Sequence, residues 1–161
     1  MKTAAVMTEY VRPFVEESST LDEEWRTAGT SMLPFIPPGS RLHLKEISKG
    51  NEFEIGAIVC YLSSDSKFVA HRIVGFKLRD GKRLLEIRGD ALDGCELVEP
   101  EAVLGVVARV SVGPFSYETD STVGKGVARL TLFTPRLVRT AARAARLVIV
   151  AGSRLKTLSR S

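Results

Sequence analysis

From Glu24 onward the chain alternates short apolar runs with clusters of turn-forming residues. Runs at Trp25 to Ala28, Arg41 to Glu46, Ala57 to Leu62, Phe68 to Phe76, Arg83 to Arg88 and Val103 to Val112 carry the β-branched and aromatic content of strands. Breaks fall at Pro37-Pro38-Gly39-Ser40, Lys49-Gly50-Asn51, Ser63 to Ser66 and Asp80-Gly81. Many short β elements with such turns predict a mainly β, compact and mostly antiparallel domain over residues 24–112. Residues 1–23 read as a lead-in, with a short helix or irregular segment at 8–18 whose length Pro13 limits. Residues 113–126 are polar and glycine-containing and read as a linker.

The pattern then changes period. Thr134-Pro135 supplies a helix N-cap followed by proline at the first helical position. Arg136, Arg139, Arg143 and Arg146 recur along one stripe, and Leu137, Val138, Ala141, Ala142, Ala145, Val148 and Ile149 along the opposite one. Residues 127–161 are therefore expected to form a basic amphipathic C-terminal helix.

Composition adds one asymmetry. Hydrophobic residues make up 44% of the 161 and charged residues 26%, which places the chain among globular proteins. Residues 1–120 hold 14 Lys/Arg and 19 Asp/Glu, whereas residues 121–161 hold 9 Lys/Arg and no acid. That tail suits an anionic membrane surface, with contact expected through residues 134–156. The competing reading packs the same helix on its own β domain with the arginines in water. Nucleic acid is not expected as a partner, because no aromatic interleaves the basic stripe and no DNA-binding module is evident. No stretch reaches the ~18 uninterrupted apolar residues that cross a bilayer, and the N-terminus lacks an apolar leader core. A cytoplasmic location follows as the expectation, with peripheral attachment to the cytoplasmic membrane face. Cys60 and Cys95 fit neither a redox nor a zinc spacing, so both are expected as small buried hydrophobes and no metal or other cofactor is expected.

Candidate chemistry centres on a serine and a histidine. Ser31 follows Gly29 and precedes Met32 and Pro34, a tight turn that can expose the hydroxyl and aim the Ser31 N–H at a developing oxyanion. His71, in Phe68-Val69-Ala70-His71-Arg72-Ile73-Val74, shares a face with Val69 and Ile73 and can act as a neutral general base. If Asp80-Gly81 is a two-residue hairpin turn, Arg79 faces Lys82, and counting back along both strands sets His71 opposite Asp90. Asp90 would then orient the imidazole, with Asp93 as the rival orienter.

Four segments in order carry a resemblance. Gly29-Thr30-Ser31-Met32-Leu33-Pro34, Glu54-Ile55-Gly56-Ala57-Ile58-Val59, His71-Arg72-Ile73-Val74 and Gly89-Asp90-Ala91-Leu92-Asp93 resemble the boxes of type I signal peptidases over about residues 24 to 110. The match is to the Ser-His members of the superfamily that also holds the LexA-type self-cleaving repressors. The resemblance implies the mostly-β signal-peptidase fold, Ser31 as nucleophile, His71 as base, and Asp90 or Asp93 as orienter. Where some members place a hydroxyl in the oxyanion hole this chain has Gly29, so Thr30 or backbone alone would serve beside Ser31. The family's usual Gly-Asp pairs are replaced by Gly39-Ser40 and Gly56-Ala57, and the family's N-terminal anchor has no counterpart. The expected activity is serine endopeptidase cleavage of an extended peptide or precursor protein. Two alternatives stand beside it: a catalytically degenerate peptide-binding or membrane-associated module, and a self-cleaving regulatory domain.

Overall fold

The structure, a computed structural model, describes residues 24–45, 47, 53–63 and 67–158, with side chains from residue 25 to residue 151. The lead-in expected at 1–23 lies outside the described residues. Among the described residues eight strands run β1 (Glu24–Arg26), β2 (Arg41–Lys45), β3 (Ile58–Leu62), β4 (Phe68–Arg79), β5 (Lys82–Arg88), β6 (Glu96–Val98), β7 (Val103–Val112) and β8 (Phe115–Glu118). They form one sheet ordered β1-β2-β7-β3-β4-β5-β6, with β8 also on β7, and every pairing is antiparallel. The mainly β expectation holds at that level.

β3 lies at the centre, and its run Ile58-Val59-Cys60-Tyr61 is buried on both faces. Ile58 and Cys60 join Met32, Ile36, Leu42, Val107 and Val110 in one apolar cluster. Val59 and Tyr61 join Ile73, Leu85, Ile87 and Val103 in another. The period-two alternation of a strand thus divides its side chains between two cores. His71 shares the second face, diagonal to Tyr61, because Val59 pairs with His71 and Tyr61 with Val69.

The Asp80-Gly81 hairpin forms as expected, with Asp80 and Gly81 both at positive φ and Arg79 facing Lys82. Its register does not persist. Gly75 faces Glu86 but Ile73 faces Ile87, so Val74 is an extra residue on β4, and Arg72 comes to face Arg88. A bulge moves every later pair by one residue and bends the strand. The expectation that His71 faces Asp90 is therefore corrected: beyond Arg72 the partner level with His71 is Gly89.

The segment expected as a linker at 113–126 instead contains β8 and the start of a helix. The single C-terminal helix is two, α1 (Thr122–Phe133) and α2 (Pro135–Leu158). Ser121 caps α1 by accepting the Gly124 N–H at 3.2 Å. Thr134 ends α1 rather than capping α2 with its side chain, since its hydroxyl donates back to the Leu130 carbonyl at 2.8 Å. α1 lies over the turn at Gly56, whose φ of 99° suits glycine and where a Cβ would come 3.2 Å from the Ala128 Cβ. α2 buries Val138 and Ala142. No helix among the described residues is long and apolar enough to cross a membrane.

Candidate active site

Ser31 sits in the turn between β1 and β2. Met32, Leu33 and Ile36 are buried and anchor that turn in the core, while Ser31 itself is half-buried. The turn closes on itself through Leu33 N–H to the Thr30 carbonyl at 3.3 Å and Ile36 N–H to the Met32 carbonyl at 3.0 Å. The Ser31 carbonyl accepts the Ala91 N–H at 2.8 Å, which ties the turn to the loop after β5. The Ser31 N–H has no partner among the described residues. Half-buried Thr30 stands next to it.

His71 is 4% exposed. Its Nδ1 lies 3.2 Å from the Tyr61 hydroxyl, and that hydroxyl donates to Glu96 Oε2 at 2.9 Å. The other ring nitrogen, Nε2, is buried with no hydrogen-bond partner among the described residues. Burial holds the His71 pKa below its ordinary value, outweighing the upward pull of the Glu96 and Asp90 charges. The imidazole is consequently neutral over a wider acidic range than a free one. Tyr61 is pushed upward by burial, by its hydrogen bond to Glu96 and by that carboxylate's charge, so its phenol stays protonated.

Ser31 and His71 meet at Gly89. A Cβ on Gly89 would lie 2.8 Å from the Ser31 carbonyl oxygen and 3.0 Å from His71 Nε2. The Ser31 hydroxyl does not donate to Nε2; in serine hydrolases generally this hydrogen bond tightens along the reaction path.

The two aspartates are engaged elsewhere. Both Asp90 oxygens are held by Arg72, Nε to Oδ1 at 2.9 Å and Nη2 to Oδ2 at 2.8 Å, in a pair almost wholly out of water. Arg72 Nη1 also donates to the Gly56 carbonyl at 2.8 Å. Asp90 thus locks the loop after β5 onto β4 and acts on His71 only through its charge. Asp93 is 73% exposed and pairs with Arg139 of α2 at 2.7 Å. Neither carboxylate takes the orienting position at Nδ1; Tyr61 does. Sequence reasoning missed Tyr61 and Glu96, and the one available signal was the alternation that sets Tyr61 on the His71 side of β3.

Beside Ser31 opens a cleft of about 260 Å³. Trp25, Gly29, Cys60, Phe68 and Ala70 line it, and within that lining the Trp25 and Phe68 rings meet edge to face at 4.8 Å. Among the described residues Phe68–His71 pair only with β3, because β5 pairing stops at Arg72. The other backbone edge of that segment is without a strand partner, and Phe68, Val69 and Ala70 line the same cleft as Ser31. Cys60 is buried, and burial pushes its thiol up to about 12, which removes it as a competing nucleophile in the same cleft. Cys95, expected to be buried, is exposed. Among the described residues no three His, Cys, Asp or Glu side chains converge as a metal site would require.

No family model matches this chain, and neither a curated protein nor a solved structure is matched by it.

Proposed function

We propose that the protein is a serine endopeptidase of the signal-peptidase type, with Ser31 as nucleophile and His71 as general base. The observation that carries the reading is the convergence at Gly89 of the Ser31 turn and a buried, partnerless His71 Nε2. A buried nitrogen without a partner loses hydration energy, and a serine hydroxyl rotated toward it would satisfy it. In the acylation step Ser31 Oγ attacks the scissile carbonyl carbon and its proton passes to His71 Nε2. The Ser31 N–H, with Thr30 beside it, donates to the oxyanion. The imidazolium then protonates the departing amine, and a water activated by the same nitrogen hydrolyses the acyl-enzyme. An extended peptide would add as a strand along Phe68–His71, its side chains entering the cleft below Trp25 and Phe68.

The test is cleavage of a mixture of extended peptides, followed by mass spectrometry. Ser31→Ala and His71→Ala should each abolish turnover while circular dichroism stays unchanged. Cleavage retained by the Ser31→Ala protein sinks the assignment and leaves the peptide-binding reading, which the unformed Ser31–His71 hydrogen bond favours.

The C-terminal helix supplies a place for this activity. Leu137, Ala141, Ala144 and Val148 fall on one stripe of α2 and all are exposed, with Arg136 and Arg143 exposed alongside. An apolar ridge flanked by cations fits the interface of an anionic bilayer. Two copies of the helix would instead bring arginines against arginines.

A further inference from the structure

We propose that Glu96, acting through the Tyr61 hydroxyl, is the positioning carboxylate of the site: it fixes the His71 proton on Nδ1 and leaves Nε2 as the acceptor. This deepens the Ser31–His71 reading and rests on it for its catalytic meaning.

The argument is one of counting protons. A tyrosine hydroxyl has a single hydrogen to donate and lone pairs to accept with. Tyr61 Oη has two candidate acceptors, Glu96 Oε2 at 2.9 Å and His71 Nδ1 at 3.2 Å. A carboxylate is the stronger acceptor, and its contact is the shorter. The proton therefore goes to Glu96, and the hydroxyl can meet His71 only by accepting, which requires hydrogen on Nδ1. A neutral imidazole carries one N–H, so Nε2 is bare. That is the nitrogen left buried without a partner next to the serine turn. The tautomer needed for a general base at Nε2 is thus dictated by Tyr61 on β3 and Glu96 on β6.

The other carboxylates near the site are committed. Asp90 is closed by Arg72 through both oxygens, and Asp93 by Arg139. Glu96 owes its place to β6, where it pairs with Ile87 at the outer edge of the sheet. The arrangement is a triad with a phenol inserted between imidazole and carboxylate, and the phenol remains neutral throughout.

Nitrogen-15 NMR of the full chain reads the tautomer directly, because the protein has only two histidines, His43 and His71, and His43→Gln removes the other signal. At neutral pH the His71 ring should show a protonated Nδ1 and a bare Nε2. In Glu96→Ala the Tyr61 hydroxyl turns to Nδ1, the proton moves to Nε2, and kcat falls by about 100-fold or more with KM little changed. Glu96→Gln, whose amide oxygen still accepts from Tyr61, should recover most of both. An Nε2-protonated ring in the otherwise native protein overturns the proposal, as does a Glu96→Ala variant with its tautomer and kcat intact. The spectra are recorded in Ser31→Ala protein as well. Absence of any cleavage alongside the expected spectra counts against the peptidase reading alone.

Discussion

The carbonyl oxygen of Ser31 accepts a 2.8 Å hydrogen bond from the backbone N–H of Ala91. The residue that would attack is thereby fastened to the loop that follows β5, two residues after Gly89. His71 reaches the same loop from β4. The site is assembled at a crossing of three segments, and the loop between β5 and β6 is its keystone.

Gly89→Ala tests that crossing. Its Cβ would stand 2.8 Å from backbone and 3.0 Å from the imidazole, and the backbone neighbour cannot give way cheaply. The variant should lose about 1–3 kcal/mol in urea unfolding and most of its peptide cleavage. Wild-type stability and rate together would show that the serine turn and histidine are farther apart than described.

His71 sets an expectation for pH. Its folded pKa lies below the ordinary 6.5, so the active base form should persist into mildly acidic solution. The acid limb of kcat/KM should therefore fall below 6.5, where a solvated imidazole would have placed it. Stability follows the same sign. The unfolded chain takes up the proton more readily than the folded one, so this contribution is complete above 6.5 and is lost as pH falls toward the folded value. A limb at or above 6.5 would contradict the burial that lowers it.

Asp90 and Asp93 should behave differently, although both lie in the segment that resembles a family box. Asp90→Asn leaves the Arg72 guanidinium buried without its counter-charge and should cost about 3–5 kcal/mol in chemical denaturation. Asp93→Asn removes an exposed partner of Arg139 and should change stability by less than about 1 kcal/mol, with turnover unaltered. Equal effects from the two substitutions would count against the assignment of Asp90 to Arg72.

The C-terminal ridge predicts sedimentation of the full chain with vesicles of anionic lipid, weakening as salt rises. Arg136→Glu combined with Arg143→Glu should lower that binding by tenfold or more, since each cation near the surface contributes about 1 kcal/mol. Leu137→Asp with Val148→Asp should do the same while leaving peptide cleavage unchanged. Equal binding to neutral vesicles, or none to anionic ones, removes the membrane surface as the partner.

The sequence by itself determined most of the strands of five residues or more. β7 was readable at its observed bounds, and β2, β3 and β5 to within a residue or two, because five or more β-branched and apolar residues between turn formers stand out, alternating where one face is buried and continuous in β3, which is buried on both. The hairpin turn was equally plain, since Asp80 and Gly81 tolerate positive φ. Ser31 and His71 stood out because a turn serine and one of two histidines are locally conspicuous. Tertiary structure decided what surrounds them. β6 and β8 have three and four residues, too few to show a period. They exist because β5 and β7 offer them backbone partners. The bulge at Val74 left no trace in the alternation of apolar residues, yet that single extra residue took Asp90 away from His71 and gave it to Arg72. The partner that His71 has in its place is Tyr61, 10 residues away in sequence, backed by Glu96, which lies 35 residues from Tyr61. Hydrogen bonds across strands depend on register and sheet order, and those are settled only when the whole sheet closes on its core.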